Sequence, residues 1–164
     1  MINIFVKTFP FLFVIFFIYL ESAPIYFYGN ELVKPLMTFT VIYCWIEHDS
    51  EKFRPLWLLF FGLFYDFLKD GLVGVTPLFF LAMYHLKNNN MPIIFFSYLN
   101  SVWIKFIVTL LAYFIFLLLI NLFFENFTYG ISKNLVSLLV SIMLFPLFYT
   151  ITKKLSQRFG RLND

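Results

Sequence analysis

The chain has 164 residues, of which 62% are apolar and only 13% charged, with a formal net charge of +3. A soluble domain carries about 45–50% apolar and about 25% charged residues, so this chain has too little polar surface to cover a globule in water. That balance excludes a disordered segment and a soluble nucleotide-binding domain, the lone Cys44 excludes an intrachain disulfide framework, and the length allows one domain. What remains is an all-α integral membrane protein: a bundle of six transmembrane helices, or five, with a short helical hairpin at its centre.

A helix needs about 20 apolar residues to cross a hydrocarbon core about 30 Å thick. The first such run covers 9–25 behind the basic Lys7, with Pro10 expected in its opening turn. Ser22 and Ala23 offer small residues for a signal-peptide cut. Glu21 would then fall at the −3 position, where a small residue is required, and further apolar runs follow, so the segment reads as a retained first helix. The second run, 32–46, is short, opened by Lys34-Pro35 and closed by Tyr43 and Trp45. Glu47, His48, Asp49 and Glu51 follow beside Lys52 and Arg54, and read as a solvated loop rather than a metal site. Runs 55–68 and 73–86 flank Lys69-Asp70-Gly71 and make a tight helical hairpin. The long apolar stretch 91–124, interrupted at Asn100 and Lys105, divides into an interfacial segment, 91–104, and a fifth run, 106–124. A polar turn, 125–133, leads to a sixth run, 135–152, bent at Pro146.

Orientation follows from the cations. With both termini on one side, that side holds Lys7, Lys52, Arg54, Lys87, Lys105, Lys153, Lys154, Arg158 and Arg161, while the other holds Lys34, Lys69 and Lys133. Nine against three places both ends in the cytoplasm. The basic tail from Lys153 to Arg161 serves as the last topology signal.

Asp66 is the first candidate site residue, because a lone carboxylate near a bilayer centre costs about 2.5–3.5 kcal/mol and should face protein. Gly62, Asp66 and Asp70 share one helix face, where the glycine admits a second helix and the carboxylates can bond to it. The plainer reading lets Asp66 snorkel or pair with Lys69. Gly71, Gly74 and Pro77 suit a tight turn and the first turn of the returning helix. His85 reads as an interfacial residue, and Ser137 and Ser141 as a small pair for helix contact. No metalloprotease, nucleophile-elbow, phosphate-loop or dinucleotide motif is present, so no enzyme, cofactor, metal or nucleic-acid partner is expected.

Lys34-Pro35, Tyr43-Cys44-Trp45, Pro55, Gly62-Leu63-Phe64-Tyr65-Asp66 and Gly71-Leu72-Val73-Gly74-Val75-Thr76-Pro77-Leu78 follow one another in an order that resembles the rod shape-determining protein MreD family of bacteria. The resemblance covers residues 32–86, with Cys44 standing where family members often have Tyr and Trp adjacent. It implies a non-catalytic scaffold of the cell-elongation machinery in the bacterial cytoplasmic (inner) membrane. Such a scaffold organises lateral peptidoglycan synthesis with an MreC-like membrane protein, MreB, RodA and a class B penicillin-binding protein. In that role Gly62, Asp66 and the Gly71–Pro77 turn would shape a groove for a partner's membrane helix. The alternative is a vitamin-binding substrate-capture subunit of an energy-coupling-factor transporter, which has a similar six-helix architecture. Those subunits usually dock through an Ala-xxx-Ala face on the first helix, whereas the only alanines here are Ala23, Ala82 and Ala112.

Overall fold

The computed structural model describes residues 2–24, 26–27, 30–31, 33–69, 72–88, 102–123 and 131–161. Within them the chain is all-α apart from one small ladder. Its helices are α1 (Ile2–Ser22), α2 (Met37–His48), α3 (Pro55–Leu68), α4 (Val75–Asn88), α5 (Val102–Phe123) and α6 (Ile131–Arg161). Between α1 and α2, β1 (Tyr26–Phe27) pairs antiparallel with β2 (Asn30–Glu31), Tyr26 opposite Glu31.

Several expected boundaries move. Helix α1 starts at Ile2, so Pro10 lies inside it and not in its opening turn. Its ring removes one intrahelical N–H without ending the helix. Lys105 is helical within α5, which begins at Val102; residues 102–104 therefore belong to that helix, and 91–101 lie outside the described residues. Helix α6 runs 31 residues, so the basic tail continues the helix through Lys153, Lys154 and Arg158. Glu47 and His48 form the last turn of α2 instead of a loop.

By length and composition, two stretches among the described residues suffice to cross a membrane, Val102–Ile120 and Lys133–Arg158; Thr8–Ser22 and Pro55–Leu68 are shorter apolar helices. Helices α2, α3 and α4 have 12, 14 and 14 residues, or about 18–21 Å of rise.

Side-chain pairing fixes the directions. Glu21 at the end of α1 meets Thr38 at the start of α2, and Glu47 at the end of α2 meets Lys87 at the end of α4. The Phe39 ring packs against Tyr113 and the Tyr43 ring against Phe106, which sets α2 and α5 antiparallel. Thus α1, α3 and α5 run one way and α2, α4 and α6 the other. Helix α2 is the axis: every residue from Thr38 to Ile46 is buried, so it is covered on all sides, as a helix apolar around its whole circumference must be. Tyr43 and Trp45 do not close a span at an interface; they are core residues, Trp45 against Phe13 and Phe53, Tyr43 against Phe106 and Phe145. The outer helices present Leu12 and Phe16, Leu56 and Phe60, Leu78, Ile115 and Leu119, and Leu139 and Met143 to the exterior. Glu21, Thr38, Thr40, Asp66, Thr76, Ser137 and Ser141 are buried inside.

Candidate functional site

The polar interior gathers at the end of the bundle where α1 and α3 finish and α2, α4 and α6 begin. The hairpin contributes the first part. A Cβ built on Gly62 would meet the backbone of Pro77, 2.5 Å from its nitrogen and 2.6 Å from its Cβ. Only glycine lets α3 and α4 approach this closely. Eight residues after Asp66 the chain turns through Gly74, whose φ of +106° is open to glycine and strained for other residues. The Asp66 carboxylate then accepts hydrogen bonds from the Gly74 N–H at 2.8 Å and the Thr76 N–H at 3.4 Å. Amides in the first turn of a helix have no intrahelical acceptor, and a negative charge is favoured there. Gly74 has no side chain with which to cap α4, so α3 supplies the cap from a different helix. Thr76 continues the chain of polar contacts, its hydroxyl 3.5 Å from the Tyr113 hydroxyl of α5.

Asp66 therefore does not pair with Lys69. That lysine binds Glu21, Nζ to Oε1 at 2.5 Å, and lies 4.7 Å from the centre of the Tyr65 ring. Glu21 is the hub of the second part. Its Oε1 also accepts the Tyr65 hydroxyl at 2.5 Å, and its Oε2 accepts the Thr38 N–H at 2.9 Å near the start of α2. One carboxylate with a fully buried side chain thus joins α1, α2 and α3. Lys34 donates to the carbonyls of Glu21 and Ala23, binding the α1–α2 connection to the end of α1. Ser137 donates to the Lys34 carbonyl at 2.5 Å, and Ser141 accepts the Leu36 N–H at 2.7 Å, so α6 holds the same connection from the other side.

Of the residues singled out in the sequence, the structure brings Gly62, Asp66, Gly74 and Pro77 together in the hairpin, while Asp70 and Gly71 lie outside the described residues. The face of Gly62 expected to receive a partner's helix is filled by α4 of the same chain. In the sequence alone Glu21 stands out only as an obstacle to cleavage. The signal for more was its topology: a carboxylate ending an apolar run on the same side as Lys34 and Lys69.

At the opposite end, Glu47 pairs with Lys87 at 2.8 Å and Asp49 with Lys52 at 2.6 Å. The His48 ring packs on Tyr149, centroids 4.6 Å apart. Burial holds its imidazole below the usual histidine range, with Lys153 and Lys87 adding to that and a hydrogen bond with the Tyr149 backbone and the Glu47 carboxylate opposing it. Among the described residues no three His, Cys, Asp or Glu side chains converge to hold a metal ion.

The chemistry of both polar groups is that of a lock. The carboxylates of Glu21 and Asp66 are engaged by donors from neighbouring helices. No family model, curated protein or solved structure matches the chain.

Proposed function

We propose that this chain is a multi-pass, non-catalytic scaffold of the bacterial cell-elongation machinery, with six membrane spans and both termini in the cytoplasm. The membrane part of the reading is supported by the distribution of residues: Glu21, Asp66, Thr38, Thr40, Thr76, Ser137 and Ser141 are buried, while large Leu and Phe side chains such as Leu56, Phe60, Leu119 and Leu139 face the outside. That is the reverse of a water-soluble surface and suits hydrocarbon, where every polar group must find its partner within the protein. The alternating helix directions and the excess of cations on one side support the orientation.

The scaffold part rests on the resemblance of residues 32–86 to the MreD family. The observation that carries it is the α3–α4 hairpin: Gly62, Asp66, Gly74 and Pro77, which bear that resemblance, are the residues that close it. Their use is internal, so in this role they hold the shape of a unit that partners recognise and do not touch the partner themselves. The partners are an MreC-like membrane protein, MreB, RodA and a class B penicillin-binding protein.

The test is to tag the C-terminus, solubilise native membranes gently and identify what is recovered. An MreC-like protein together with RodA or a penicillin-binding protein is the expected result, and Asp66→Ala should reduce that recovery while membrane abundance is retained. Recovery of a paired-ATPase transporter module would replace the scaffold with a vitamin-binding subunit.

A further inference from the structure

The outer faces of the bundle differ in height. Around the central α2, α3 has α1 and α4 as neighbours, and α5 has α4 and α6, so α3 and α5 lie on separate sides of the ring. On α3 the exposed apolar residues begin at Leu56 and end at Leu68, about 18 Å of helix. On α4 they run only from Leu78 to Leu86, about 12 Å. On α5 they run from Trp103 to Phe123, about 30 Å, which matches the hydrocarbon core of a typical bilayer. Polar groups bound the short edge closely. Arg54 is exposed immediately before α3 and Lys69 immediately after it, and His85 and Lys87 are exposed in the last turn of α4. The locks keep the edge short: Lys69 is tied to Glu21, and α4 is capped by Asp66 and pressed on Gly62.

We propose that the α3–α4 edge is a membrane-thinning surface whose boundary lipids are short-chain phospholipids, while the α5 edge takes lipids of ordinary length. A wall of about 20 Å, with Arg54 and Lys87 at one rim and Lys69 at the other, sets the phosphates of the two leaflets closer together than α5 does. The Arg54 guanidinium is complementary to those phosphates, while Lys69 and Lys87, engaged by Glu21 and Glu47, mark the polar limits of the edge. This inference rests on the membrane part of the proposed function and is independent of its partners.

The test uses the full chain in phosphatidylcholine vesicles, with Trp57→Phe and Trp103→Phe as background and the buried Trp45 retained. Into that background go Phe60→Trp, midway along the exposed face of α3, or Ile115→Trp, midway along that of α5. A brominated oleoyl lipid quenches the reporter, and unbrominated lipids with myristoleoyl, oleoyl or erucoyl chains compete for the same contact. With the reporter at position 60, the myristoleoyl lipid should displace the quencher roughly threefold better than the erucoyl lipid. With the reporter at position 115 that preference should vanish or reverse. The same chain-length order at both positions would overturn the proposal. So would quenching at 115 without quenching at 60, which would mean that a second copy covers the edge. Absence of quenching at both positions would remove the membrane reading itself, and this inference with it.

Discussion

Gly62 and Gly74 lie twelve positions apart in one hairpin, yet they are glycines for different reasons. At Gly62 the constraint is space, since any Cβ collides with the Pro77 backbone, which cannot rotate away. At Gly74 it is conformation: the φ of +106° strains an L side chain, although nothing lies within 4 Å of the Cβ position. Gly62→Ala should cost about 1–3 kcal/mol as an overpacked contact. Gly74→Ala should cost about 1–2 kcal/mol as backbone strain. The two causes separate in a size series of Ala, Met and Leu, none of them β-branched, read by thermal unfolding in detergent. Loss of stability should grow with side-chain volume at position 62 and stay nearly flat at position 74. A flat series at 62 would mean that α3 and α4 can separate freely.

At the scale of elements, α2 is held at one end by Glu21 and by the serines of α6, and at the other by His48 against Tyr149 of α6. Burial lowers the pKa of His48 in the folded chain from the ordinary 6.5, so below that pH the unfolded chain binds more protons than the folded one. The contribution of this contact is therefore complete above pH 6.5 and is lost as pH falls through the lower, folded-state value. Acidification from pH 7.5 toward pH 5 should destabilise the wild-type chain in detergent more than His48→Phe, which keeps a ring on Tyr149 but cannot take a proton. Parallel pH profiles for the two chains would remove His48 as the cause. The α2–α6 contact also shows how far local pattern reaches. Ser137 and Ser141 read as a pair for helix contact, but their actual acceptor and donor, the Lys34 carbonyl and the Leu36 amide, lie over a hundred positions away in sequence.

For the molecule as a whole, a lipid environment changes what holds it together. Lipid tails are as apolar as leucine side chains, so burying Phe or Leu between helices gains little from the hydrophobic effect, and packing and internal hydrogen bonds carry the association. Close aromatic contacts such as Phe106 on Phe145, with centroids 4.3 Å apart, belong to the first kind, and the Glu21 hub to the second. Glu21→Ala would remove at once the carboxylate that the Lys69 ammonium, the Tyr65 hydroxyl and the Thr38 amide share. The expected loss lies toward the lower end of about 3–5 kcal/mol, because the Lys69 side chain is 33% exposed and regains some solvent. Glu21→Gln keeps an acceptor oxygen and should lose less, and adding Lys69→Met should recover part of that loss by removing the stranded charge. Unfolding temperatures in detergent give the order. An Ala variant as stable as wild type would show that the three helices are joined by packing alone.

Composition and the length of each apolar run determined the all-α class and most helix cores, since both depend on local preference: residues 55–68 appear as α3 with the same limits. Local pattern also found the hairpin, because its turn and its close approach use residues within one short stretch. It could not find that α2 is the axis. A short run with Tyr, Cys and Trp at its end looks the same at an interface as in a core, and only the five surrounding helices decide between them. Nor could it assign the carboxylates. Asp66 and Lys69 are neighbours in sequence, but a buried charge goes to the donors that the fold brings nearest, and those are the Gly74 and Thr76 amides for Asp66 and Lys69 for Glu21.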